Sequence, residues 1–295
     1  MPATESDPPP SGPELSPELR RRLAQVRHVV LDMDGTIYRG SRLFGPTIPF
    51  LNLLRELRMG YTFLTNNSSK SAAEYLTKLQ EMGVPARRDE LYTSTDSTIE
   101  YLRSQGRGMR KLFVLGTEGL QRELRDAGFA LTRDSAEEAP DAVVVGFDTG
   151  LTYQRLCRAA YWVKLGKPFI ATHPDRVCPT DEPTVLVDCG AICAALSEAA
   201  GRAPDAVLGK PDPGMLAGIL RKNDLAPCQL AMVGDRLYTD LEMARRAQVL
   251  GVLVLTGEAT SAEAAARVPA PDLVCAGLDE LGRILRATHP PQRQG

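Results

Sequence analysis

The stretch VVLDMDGTIY, residues 29–38, ends an apolar run in two aspartates one residue apart and then breaks the run with Gly-Thr. Alternate residues of a strand share a face, so Asp32 and Asp34 converge on one small volume at the strand's carboxyl edge. That edge is where open α/β sheets bind ligands. Two carboxylates so close repel, and they are tolerated when a divalent cation neutralises one and the other takes up a proton. Gly35 permits a tight turn through which backbone N–H groups approach an anion. A DxDG loop also occurs in calcium sites, but the rest of an EF-hand ligand series is missing. An ordinary polar turn is the plain alternative.

Outward from this stretch, further short apolar runs alternate with helical patterns. HVVLD (28–32), YTFLT (61–65), AVLG (206–209), LAMVG (230–234) and GVLVLT (251–256) are the candidate strands. Several are apolar almost throughout, as strands covered on both faces of a parallel sheet are. Helical patterns fall at 49–58, 71–82, 212–222 and 237–247. The fold class is therefore α/β. The segment 108–204 repeats the rhythm with KLFVLG, DAVVVGF and PFIAT, and is long enough for an inserted domain of its own; one uninterrupted large domain is the alternative.

At 295 residues, 43% of them hydrophobic, the chain can bury a sizeable core. Its net charge of −2 is a balance of mixed signs, and the one basic cluster, Arg20–Arg22, is too small for a nucleic-acid face. No apolar run approaches the roughly 20 residues that span a bilayer. The six cysteines follow no zinc-ribbon or CxxC pattern and are expected to be reduced thiols in a cytoplasmic protein. Residues 1–20, rich in Pro, Ser and acid and without a signal-like apolar stretch, are expected to be a disordered tail, and 288–295 a second one.

Other strand ends supply partners for the aspartates. Thr65 and Asn66 follow YTFL and offer a hydroxyl and an amide without adding charge. Lys210, in LGKPDP, is a compact cation between a strand and a Pro-started helix. In MVGDRLYTD, Asp235 repeats the opening device and Asp240 lies a little further on. Singly these are a helix cap, a turn and another cap. Together they are four motifs in order, each at the end of an expected strand.

These four motifs, from roughly Val29 to Thr256, resemble the haloacid dehalogenase-like (HAD) hydrolase superfamily. FLTNNSSKS, ATHPDRVCPT and VGDRLYTD, with the large insertion between the second and third motifs, resemble the subgroup with a type-two α/β cap. That subgroup includes 4-nitrophenyl, phosphoglycolate, glycerol-phosphate and pyridoxal phosphatases. The resemblance implies a Rossmann-like parallel-sheet core at 21–107 and 205–287, with an inserted cap at 108–204. It implies a phosphatase acting on a small phosphorylated metabolite, with Asp32 as nucleophile and Asp34 as general acid and base. Mg²⁺ is expected on the carboxylates of Asp32 and Asp235 and on the backbone carbonyl of Asp34. Thr65, Asn66 and Lys210 are expected to hold the phosphoryl oxygens, with Asp240 behind them orienting Lys210 or the metal's surroundings. Relatives also point to a homodimer through the cap. A catalytically idle phosphometabolite-binding or interaction module, or a phosphotransferase, is the alternative function.

Substrate choice is expected in the cap. There His173, Asp175 and Arg176 are placed near the leaving group, although His173 stands where relatives often have Asn in a Thr-Asn-Pro-Asp segment. Cys178, Cys189 and Cys193 are read as packed thiols, since no His completes a zinc set at suitable spacing. His28, His289 and Trp162 are read as structural or incidental.

Overall fold

The computed structural model describes residues 15–178, 180 and 183–289. Its centre is the strand His28–Asp32, buried along its whole length. Leu230–Gly234 pairs with it on one side and Gly60–Thr65 on the other, both parallel, with Leu31 opposite Val233 and Asp32 opposite Leu64. The full order of this six-stranded sheet is Leu273–Cys275, Leu250–Val254, Leu230–Gly234, His28–Asp32, Gly60–Thr65, Leu91–Thr93.

The continuous apolar runs have the reason expected of them. Val29 and Leu31 pack with Phe50, Leu54, Leu281 and Leu285 on one face. Val30 and Leu64 pack with Met215, Leu216, Ile219 and Met243 on the other. The chain starts in the middle of the sheet, builds one edge, leaves, and returns to build the other. The order therefore switches at His28–Asp32, and a crevice opens beyond its carboxyl end.

Between the two halves lies a second parallel sheet of five strands, in the order Ala206–Val207, Phe169–Ala171, Ala142–Val145, Lys111–Leu115, Ala130–Leu131. Phe169, Trp162, Ile192 and Leu196 fill one side of it. The run at 206–209, expected beside the core strands, belongs here: Ala206 pairs with Ile170 and Val207 with Ala171. An apolar pattern marks a strand without saying which sheet takes it. The expected seam at 204/205 accordingly falls inside this second sheet, and the chain returns to the first through Leu208–Lys210.

The expected tail at 1–20 is also shorter. A helix runs over Pro17–Gln25, capped by Ser16 Oγ, which accepts from Leu19 N at 3.2 Å, and anchored by the buried Leu23. The helix Leu278–Thr288 likewise reaches one residue into the second expected tail. Residues 1–14 and 290–295, the rest of both tails, lie outside the described residues.

The helical pattern at 237–247 resolves into a π-helical turn, Leu237–Leu241, followed by the α-helix Glu242–Arg246. The wide turn carries Thr239 and Asp240 inward against Gly234, where a Cβ would lie 2.3 Å from Asp240 Cγ. Among the described residues no helix is long and apolar enough to cross a membrane.

Candidate active site

The four strand-end motifs meet at the switch point. Lys210 Nζ donates to Asp32 Oδ1 and, at 2.7 Å, to Asp240 Oδ1, and all three residues are buried. Thr36 Oγ1 donates to the other oxygen of Asp32 at 3.3 Å. Asn66 brackets the main chain of Lys210: its Oδ1 accepts from Lys210 N at 2.6 Å and its Nδ2 donates to Lys210 O at 3.0 Å. The same Nδ2 donates to Asp175 Oδ2 at 3.2 Å. The side-chain amide expected to hold a phosphoryl oxygen is thus committed to seating Lys210. Thr65 is at the strand end as expected, its hydroxyl accepting from Asn67 N at 3.2 Å.

Asp32, Asp235 and Asp240 each bring one oxygen within 4.8 Å of the others. Asp235 Oδ2 accepts from Glu258 N at 2.8 Å, while its Oδ1 is buried with no hydrogen-bond partner among the described residues. The backbone closes tightly round this carboxylate. A Cβ at Gly35, where φ is +88°, would lie 2.3 Å from Asp235 Oδ2, and one at Gly257 1.9 Å from it. Burial, with Asp32 and Asp240 nearby, raises the Asp235 carboxyl to about 7. Burial also raises Asp240, to about 6, with Lys210 opposing and Asp32 adding. Burial disfavours the Lys210 ammonium, yet Asp240 and Asp32 outweigh it and hold its pKa above the usual lysine range.

Three carboxylates around one lysine leave an excess of negative charge, and the orphaned Asp235 oxygen lacks a cation. The donor set is all oxygen, which suits a hard divalent ion such as Mg²⁺. Asp240 already serves Lys210 with Oδ1 and accepts from Arg236 N at 3.2 Å with Oδ2, so it fits better as a support than as a ligand. Asp34 stands open to solvent beside Asp32. Partial burial raises its carboxyl above the usual range, with Lys78 opposing and Asp32 reinforcing.

A cavity of about 440 Å³ covers this constellation, with Asp32, Asp34, Thr65 and Lys210 in its lining and Asp175, Val177, Cys178 and Asp188 reaching it from the inserted unit. Of the three expected specificity residues, only Asp175 lines it. His173 is 0% exposed and lies behind the wall, and Arg176 is exposed outside it. The strand-end pattern located the loop but not which of its side chains the returning chain covers. Lys78, Asp188 and Arg236 line the cavity without having been anticipated. Arg236, next to Asp235, was open to reading from the motif, whereas Lys78 lies in the last turn of an ordinary amphipathic helix, Ala72–Glu81, and carries no signal. Cys189 and Cys193 are buried thiols, the first donating to Val145 O at 3.1 Å.

Comparison with known proteins agrees with this fold. Residues 29–130 match the family described as haloacid dehalogenase-like hydrolase, and residues 207–281 the one described as HAD-hydrolase-like. The acid sugar phosphatase of Staphylococcus epidermidis is 33% identical over 231 residues, covering 78% of this chain and 87% of its own length. The crystal structure of 4-nitrophenylphosphatase from Thermotoga maritima superposes with a TM-score of 0.83 at 39% identity, covering 89% of this chain and 98% of that one. Glycerol phosphate phosphatase from Mycobacterium tuberculosis, in complex with magnesium, superposes at 0.80 with 31% identity, covering 88% and 77%.

A parallel sheet with acidic strand ends, a seated lysine and a second α/β layer inserted over them defines a hydrolase of the haloacid dehalogenase-like kind. The chain belongs to that family, and within it to the phosphatases that carry the larger α/β cap.

Proposed function

We propose that this enzyme is a Mg²⁺-dependent phosphatase that hydrolyses a small phosphorylated metabolite through an aspartyl-phosphate on Asp32. The observation that carries the reading is the bond from Lys210 Nζ to both Asp32 and Asp240 beside the orphaned Asp235 oxygen. Uncatalysed phosphate-monoester hydrolysis needs acceleration of up to about 10²¹-fold, which calls for several effects at once. The Asp32 carboxylate attacks phosphorus, forming an O–P bond as the ester O–P bond breaks. Asp34 gives its proton to the departing oxygen. It then takes one from the water that attacks the phosphoryl group, which releases orthophosphate and restores the Asp32 carboxylate. Lys210 and the Thr65 hydroxyl meet the phosphoryl oxygens, while Asn66 fixes where Lys210 stands. Asp32, Asp235 and the Asp34 carbonyl would hold Mg²⁺, which would supply charge neutralisation of the phosphoryl group. The inserted unit serves as the cap that closes the cavity over the leaving group. Intact acid, nucleophile and lysine argue against an idle binding module.

Asp34→Asn is expected to lower turnover by about 10²- to 10⁴-fold, because an amide cannot relay the proton. The loss should be larger for an alkyl phosphate than for 4-nitrophenyl phosphate, whose leaving group needs little protonation. Steady-state rates on both esters check this, and near-normal turnover of the alkyl ester would remove Asp34 from the role.

Chelation should bring activity to background, with Mg²⁺ restoring it and Ca²⁺ failing to, since in-line attack needs the compact octahedral shell. Mg²⁺ should also raise the melting temperature, and Asp235→Asn should abolish that rise. Full activity in a chelator, or robust activity with calcium alone, would contradict the metal assignment.

A further inference from the structure

His173 follows a cap strand by two residues, and its fully buried ring does not line the cavity over the active site. It stands between two carboxylates, with Nδ1 3.5 Å from Asp175 Oδ2 and Nε2 3.5 Å from Asp188 Oδ1. From the core side, Ser68 Oγ lies 3.4 Å from Nε2. Both carboxylates line the cavity that the imidazole itself does not reach. The loop and helix that carry them are tied by the backbone: Gly190 N donates to Asp175 O at 2.7 Å, and Asp188 N to Arg176 O at 3.0 Å.

Asp175 accepts from Asn66, and Asn66 brackets Lys210. On its other flank, His173 meets the chain returning to the core. A Cβ at Gly209, where φ is +73°, would lie 2.7 Å from His173 Cβ and 2.8 Å from Asn66 Oδ1. The residue just before Lys210 is therefore threaded between His173 and Asn66, and only a glycine passes.

We propose that His173 is a positioning residue, which clamps Asp175 and Asp188 into one wall and, through Asp175 and Asn66, fixes where Lys210 is presented to Asp32. The proposal rests on the role of Lys210 given above. Its physical basis is that a buried carboxylate, Asp188, and a half-buried one, Asp175, flank the same ring, and a cation there offsets the charge of both. Burial disfavours charge on the imidazole, and the groups around it, Cys189, Asp175 and Asp188, oppose that and raise its pKa above the usual histidine range. Burial pushes the Asp175 carboxyl up, yet the nearby His173 ring brings it below the usual range, although His173 Nδ1 makes no hydrogen bond among the described residues. Burial raises Asp188, and His173 only partly offsets this. The ring stands 3.5 Å from each carboxylate, and Asp175 is the one that touches Asn66. The groups facing His173 are Asp175 on its own loop, Asp188 and Cys189 at the adjoining helix end, and the neutral Ser68 of the core; Lys210 lies beyond Asp175.

The test is His173→Asn in the full chain with Mg²⁺. Misplacing a binding group by a fraction of an ångström to one ångström costs about 10- to 100-fold. The variant should lose that factor in kcat/KM on every ester tried, 4-nitrophenyl phosphate included, and orthophosphate inhibition should weaken in parallel. The double variant His173→Asn/Asp188→Asn relieves the repulsion left in the wall, so it should recover the melting temperature but not orthophosphate inhibition. A loss confined to one class of ester would overturn the proposal in favour of a leaving-group contact. Unchanged orthophosphate inhibition in the folded double variant would reduce His173 to packing. Lys210→Ala separates this proposal from the reading beneath it: normal orthophosphate inhibition there would sink both, whereas its loss there with none in the His173 variants sinks this one alone.

Discussion

Asp32→Asn is expected to reduce turnover by about 10⁴-fold or more, the scale on which enzymes lose activity when a covalent nucleophile is removed. The amide keeps the shape of the carboxylate at the end of a fully buried strand, so the sheet and its packing should stand. Lys210 retains Asp240 as a partner and is not left without a counter-charge. What disappears is the anionic oxygen that attacks phosphorus, together with one of the charges that draws in the cation. Circular dichroism and thermal melting should match the parent while steady-state hydrolysis of 4-nitrophenyl phosphate falls to background. Turnover within tenfold of the parent would mean that water attacks the ester directly and that Asp32 only organises the site.

Lys210→Ala carries the second large effect, and it acts on stability as well as rate. Lys210 is 5% exposed and lies between two carboxylates that are 7% and 0% exposed. Removing one partner of a buried ion pair typically costs about 3–5 kcal/mol, because the remaining charge is stranded. Loss of a donor aimed at the reacting group costs a further 10²- to 10³-fold or so in turnover.

The sign of the pH dependence follows. Asp240 already titrates at about 6, above the free aspartate value, and without Lys210 it should rise further. A carboxyl whose folded pKa is raised binds more protons when folded, so the variant should gain stability as pH falls from 8 toward 5. Mg²⁺ should also stabilise the variant more than the parent, since it supplies part of the missing positive charge. Denaturant melts with and without Mg²⁺ at two pH values check both expectations. A variant as stable as the parent and insensitive to pH would show that the three carboxylates do not share one charge balance.

The position of this site was legible in the sequence because each part sits at the carboxyl end of an apolar run. Strand periodicity and the rule that parallel sheets bind at that edge placed Asp32, Thr65 and Asp235 together, while their chemical roles came only with the resemblance to haloacid dehalogenase-like hydrolases. Where the reading fell short, the missing information was tertiary. Ala206 and Val207 have the composition of a strand in either sheet, and only the pairing with Ile170 and Ala171 decides. Asn66 carries the right group for a phosphoryl oxygen, but the main chain of Lys210 takes up that group. His173 lies in the right loop, and the passage of Gly209 beside it is what turns it from substrate to scaffold. The π turn that aims Asp240 inward leaves no trace in an otherwise regular helical pattern.

The covalent step can be seen directly. Asp34→Asn enzyme, mixed with Mg²⁺ and an activated phosphate ester, quenched in acid within the first turnover and digested, should yield the peptide containing VVLDM with a phosphoryl group on Asp32. The acyl phosphate should disappear on treatment with hydroxylamine, and Asp32→Asn should never acquire it. A phosphoryl group on another residue, or product formation without any phosphorylated peptide at quench times shorter than a turnover, would contradict the account.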